Sequence, residues 1–148
     1  MAPLVVDQSI EIKAPATKVW DVLTKPQFTK QWAKYFGGFK GNLESDWKLG
    51  SPVLWKENDG KVVVEGSVSA VYPGKMLRFT VFDSQMDRPM VSDTDGITYT
   101  LVGNNGSTLL FVRQGDFGGM ENGEAYYDAT IDTWKKVLPK VKELAEKN

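Results

Sequence analysis

The chain has 148 residues, 18 basic and 19 acidic side chains for a net charge of −1, and a composition that is 41% hydrophobic and 25% charged. That balance excludes a disordered chain; no apolar run approaches the ~20 residues of a membrane-spanning helix, and the lack of a basic stripe speaks against nucleic acid. With no cysteine and no histidine, disulfides, thiol nucleophiles and the commonest metal ligand and acid–base group are excluded as well.

The opening residues lack the basic start and long apolar stretch of a signal peptide, so a cytoplasmic location is expected. Val6, Gln8, Ile10 and Ile12 alternate with Asp7, Ser9, Glu11 and Lys13, which predicts a strand with one wet face. In "APATKVWDVLTKP", Pro15 suits a first helical turn and Val19, Trp20, Val22 and Leu23 form one apolar face. Pro26 disfavours helix at Lys25, so this helix is expected to end there. Phe28 and Trp32 share one side of a second short helix, which Gly37 and Gly38 should stop.

From Asn42 to Gln114 the pattern turns to period two. Val53 and Trp55 share a face, and "NDG" marks a hairpin turn. Val62, Val64, Gly66, Val68, Ala70 and Tyr72 are expected on one face of the next strand, with Glu65, Ser67 and Ser69 on the other. After the "YPGK" turn, Leu77, Phe79 and Val81 alternate with Arg78 and Thr80. "DSQMDRPMVSDTD" is read as a polar loop, because it lacks the glycine and terminal glutamate of a calcium loop. Ile97, Tyr99 and Leu101 alternate with Thr98 and Thr100, and "GNNGS" turns the chain again. Leu109 to Val112 are all apolar, so this last strand's faces stay unassigned.

The final segment is predicted helical from Gly123, with Asn122 as N-cap and Glu124 near the positive end of the helix dipole. Tyr127, Ile131, Trp134, Leu138, Val141 and Ala145 form its apolar stripe. Pro139 should remove one hydrogen bond and bend the helix. No linker or repeat appears, so a single domain is expected over residues 1–148. Strand, two short helices, a meander and a long helix make an α+β layer arrangement.

The ordered stretches "IEIKAPATKVWDVLTKPQFTKQW", "LGSPVLW", "GSVSAVYPGKMLRFTV", "ITYTL" and "TIDTWKKVLPKVKELAEK" resemble the START-like, or SRPBCC, superfamily. Within it they are most similar to the domain named for activators of the ATPase of the ninety-kilodalton heat-shock chaperone. The resemblance implies the helix-grip fold: a curved antiparallel sheet of about six or seven strands wrapped around the C-terminal helix. It also implies an apolar cavity for hydrophobic ligands such as lipids or polyketides. Some superfamily members are cyclases, aromatases or hydrolases, and a chaperone is the protein partner that the family name implies.

The residues supply their own case for a pocket. Trp32 and Phe36 follow the first helix, Trp55, Val64, Phe79 and Tyr99 lie on strands, and Tyr127, Ile131 and Trp134 lie on the last helix. Each alone is more simply core packing; together, large rings over the small Val64, Gly66 and Ala70 are expected to leave room. "QGDFGGMENGEAYYD" is read either as a gate with Phe117 and Met120 as flaps or as an ordinary glycine-rich connection; it lacks phosphate-cradle spacing. The carboxylates Glu57, Glu65, Asp83, Asp116 and Glu124 are scattered, so no catalytic set, metal or cofactor is nominated. The order of expectation is a non-enzymatic binder of a hydrophobic, aromatic small molecule, then an enzyme of cyclase or hydrolase type, then a chaperone-modulating module.

Overall fold

The computed structural model describes residues 4–36, 40–80, 82–83, 96–115, 117–118 and 122–147, with side chains left undescribed at 82–83. Strand β1 (Val6–Ile12) buries Val6 and Ile12 and exposes Asp7, Ser9 and Glu11, as its alternation requires. Helix α1 (Ala16–Thr24) starts after Pro15 and ends at Lys25, whose extended backbone is the conformation a following proline imposes. Helix α2 (Pro26–Trp32) runs into a 3-10 turn over Ala33–Tyr35. The expected stop at Gly37 and Gly38 lies outside the described residues.

Strands β2 (Gly41–Glu44), β3 (Pro52–Glu57), β4 (Val62–Tyr72), β5 (Met76–Thr80), β6 (Phe82–Asp83), β7 (Gly96–Asn104) and β8 (Ser107–Gln114) complete the sheet. The order is β1-β8-β7-β5-β4-β3-β2, every neighbouring pair antiparallel, with the two-residue β6 pairing beside β4. Helix α3 (Gly123–Glu146) contacts β1, α1, α2 and the 3-10 turn. This is the helix-grip α+β arrangement, a curled antiparallel sheet holding a C-terminal helix.

Two local features depart from simple alternation. The β4–β5 register shifts between Val68 and Ala70, so Val68 faces Phe79 and Val71 faces Leu77 across the ladder, while Ala70 pairs with Arg78. This bulge inverts the end of β4: Val71 packs on the core and Tyr72 is 62% exposed, the reverse of the expected face for Ala70 and Tyr72. On β8, the unassigned apolar run resolves with Thr108, Leu110 and Val112 inward and Leu109 and Phe111 outward. Asn122 does occupy the α3 N-cap position. Its backbone is left-handed (φ 60°) and no side-chain cap forms, so only its carbonyl holds the first turn, accepting from the N–H groups of Ala125 and Tyr126. Pro139 lies within a helix assigned without a break.

Candidate functional site

The site is built from aromatic rings that every layer of the fold contributes. Helix α3 brings Trp134, wholly buried, to the inward face of β7, where its ring centroid lies 6.1 Å from that of Tyr99 at 81°. Phe36, just past the 3-10 turn, stands edge-on to two indoles, 5.2 Å from Trp55 and 5.2 Å from Trp134. Trp32 joins it at 6.3 Å, and Phe79 approaches Tyr99 at 5.8 Å. These are the edge-to-face distances at which the positive ring rim meets a negative ring face. One connected array thus runs from the short helices through α3 to the sheet.

Several polar atoms of this apolar layer have partners within the fold. The Trp32 indole N–H donates to the Val22 carbonyl at 2.9 Å, and the Trp134 N–H to Gln114 Oε1 at 2.8 Å. The four buried threonines among the described residues all use their hydroxyls: Thr24 and Thr29 on carbonyls of their own helical turns, Thr108 on Ala14, and Thr80 as acceptor for the Ser67 N–H. Tyr99 differs. Its side chain is 1% exposed, yet none of the hydrogen bonds among the described residues uses its hydroxyl. Burial pushes that hydroxyl far above the ordinary tyrosine range, so it stays protonated at any physiological pH.

The other expected site residues fall around this array. Trp55 is buried on β3 directly across from half-buried Val64. Tyr127 and Ile131 are half-buried on α3 against the core, and the Ile131 carbonyl accepts from Gln8 Nε2. Phe117 is 8% exposed with its N–H bonded to the Leu4 carbonyl at 2.9 Å, which makes it an anchor at the end of the last strand. Met120, the second proposed flap, lies outside the described residues, as do Asp116 and residues 84–95 of the acidic loop. Gly66 does not leave room for a guest: a Cβ there would sit 1.8 Å from the Thr80 carbonyl oxygen, so the chain itself fills the space. Ala70 is turned to the other face by the bulge.

Two contributors escaped periodicity. Trp47 lies in the β2–β3 loop at φ 55°, its N–H bonded to Ser45 Oγ at 3.0 Å, and packs 5.4 Å from Phe79 while its indole donates to the Thr24 carbonyl. The "SDW" triplet, a serine turn placed before a large ring, is the signal that could have found it. Gln114 was the end of an apolar run, and only its pairing with Trp134 shows its use. Among the described residues no carboxylate is buried, and no group of three or more metal-ligating side chains gathers. No helix there is long and apolar enough to cross a membrane.

Comparison with known proteins agrees with this fold. No curated protein sequence matches the chain. Among solved structures, protein MLL2253 from Mesorhizobium loti superposes with a TM-score of 0.74 at 22% identity, covering 95% of each chain. DynU16, from the dynemicin biosynthetic locus, gives 0.73 at 20% identity over 96% of this chain and 47% of its own. A subunit of the Aha1 dimer from Colwellia psychrerythraea gives 0.71 at 17% identity over 99% and 97%. At these identities they share the fold alone. The family model described as "Activator of Hsp90 ATPase homolog 1-like protein" matches residues 13–146, and the chain belongs to that family within the START-like superfamily.

Proposed function

We propose that the chain binds a hydrophobic, aromatic small molecule between the curled sheet and α3. The observation that carries this reading is the connected array of rings, Trp32, Phe36, Trp55, Phe79, Tyr99 and Trp134, that the short helices, the sheet and α3 bring together. A guest ring burying about 200 Å² of apolar surface would gain about 5 kcal/mol gross at about 25 cal/mol per Å². After the cost of association, simple bicyclic probes should bind only weakly, and a larger natural ligand more tightly. Placement of DynU16 in a biosynthetic locus supports a small-molecule role for the shared fold. The test is titration of intrinsic tryptophan emission with a panel of aromatic metabolites. Saturable quenching that falls away in Trp134→Leu is expected; an emission that no compound changes would contradict the reading.

A second reading has one observation of its own. Val102 and Leu109 face each other across β7 and β8 on the outer side of the sheet, 51% and 38% exposed, with Phe111 next along β8. Such a stripe fits a protein-binding module, and the family name supplies a chaperone as partner. The enzyme reading has no buried carboxylate to build on among the described residues.

A further inference from the structure

Resting on the second of the readings just given, we infer that the outer face of the sheet docks an amphipathic helix of a partner protein, one with an apolar side and carboxylates along one flank. Three rows of cross-strand neighbours make that face. The middle row is Tyr72, Met76, Thr100, Phe111 and Ser9, across β4, β5, β7, β8 and β1. Toward the β7–β8 turn lies a row of Val102, Leu109 and Glu11. On the other side of the middle row stand Ala70, Arg78, Thr98, Arg113 and Asp7. These positions alternate with the buried Leu77, Tyr99 and Leu110 of the inner face, so their side chains point outward. The composition is that of an interface. Tyr72, Val102 and Leu109 are exposed, and Met76 and Phe111 are half-buried. Two of the chain's three arginines stand in these rows, and none of its lysines does. Interfaces gather aromatic residues, Met and Arg and shed Lys. A face shaped only for solubility would draw on the lysines that serve the rest of this surface.

The arginines set the charge of the partner. Arg113 is exposed and Arg78 half-buried; both pair across the ladder with Thr98, which puts them two strand spacings, or about 10 Å, apart. Seven residues of α-helix rise about the same distance. A helix laid along the middle row sets its apolar side on Tyr72, Met76 and Phe111. Carboxylates seven residues apart on one flank then reach both guanidinium groups, whose planar fork matches a carboxylate. The other flank meets Val102 and Leu109 and stays apolar. Asp7 and Glu11 stand on the edge strand β1, where they meet only the end of such a helix.

The experiment titrates the isotope-labelled chain, followed by its amide signals, with three designed helical peptides of about 18 residues. They share one leucine face and carry Glu, Gln or Lys at flank positions seven apart. At low salt the Glu peptide is expected to bind about tenfold more tightly than the Lys peptide, with shifts on the outward residues of β5, β7 and β8, and about 0.5 M salt should shrink that difference. Phe111→Ser should weaken all three peptides, and Arg113→Glu should reverse the order of the Glu and Lys peptides; thermal melts establish that both variants are folded. If the three peptides bind this face equally, or the Lys peptide binds it best, the acidic-flank assignment falls while the docking face stands. If none shifts a residue of this face, the protein-binding reading itself falls. Sedimentation of the free chain is run in parallel. Self-association that Phe111→Ser abolishes would make a second copy the occupant and overturn the inference.

Discussion

At the residue scale, two positions separate packing from function. Gly66 is held by geometry: its missing Cβ is the space that the Thr80 carbonyl occupies. Gly66→Ala is therefore expected to lower stability by about 2 kcal/mol or more, read as a drop in the urea midpoint at constant slope. Tyr99 is the opposite case. Its hydroxyl forms no hydrogen bond among the described residues, so Tyr99→Phe should leave the melting temperature close to that of the wild type. A melting temperature several degrees lower would mean that the hydroxyl is held within the fold, and its role as a ligand contact would fail. The sequence makes Tyr99 legible as inward-facing, because β7 alternates cleanly. It hides the reason for Gly66, since a small residue facing a core reads equally as spare room or as close approach, and only the path of residue 80 decides.

At the element scale, α3 is where sequence and structure agree most closely. Its stripe of Trp134, Leu138, Val141 and Ala145 is buried as the spacing predicts, joined by Val137 and Leu144. Trp134→Ala should cost about 3–5 kcal/mol, the range for emptying a fully buried indole, and would also strand Gln114 Oε1. Thermal or urea unfolding measures it. The far end of α3 is latched to β1: Glu146 accepts from Lys142 and from the Lys13 N–H, and Lys142 donates to the Glu11 carbonyl. The Lys142 hydrogen bond first, then the Lys13 N–H, hold the Glu146 carboxyl below the usual glutamate range. A depressed folded-state pKa means that the latch contributes fully above the unfolded value and is lost as pH falls through the folded one. Amide protection in the last turn of α3 should therefore drop as pH is lowered below the ordinary glutamate range, and Glu146→Gln should abolish that dependence. Strand β4 was the least legible element. Alternation carries no mark of the extra residue at its bulge, so one register shift turned Tyr72 from an expected core ring into an exposed one.

At the scale of the whole molecule, the architecture was readable because each turn signal and each periodic run pointed to the same meander closed by one helix. The site was readable only in part. Trp32, Phe36, Trp55, Phe79, Tyr99 and Trp134 do come together. Their contact in space depends on crossings between α3, the 3-10 turn and the sheet that no local pattern encodes, and Trp47 reaches Phe79 from a loop with no periodicity at all. Binding requires that the interior admit an aromatic guest beside Tyr99 and Trp134. The five tryptophans give five indole N–H signals in a proton–nitrogen correlation spectrum, and following them during a chromone titration tests this most directly. Saturable shifts of the Trp55 and Trp134 signals, with Trp20 on α1 unmoved, are predicted. Signals that all stay in place at saturating chromone, or a shift confined to Trp20, would contradict it.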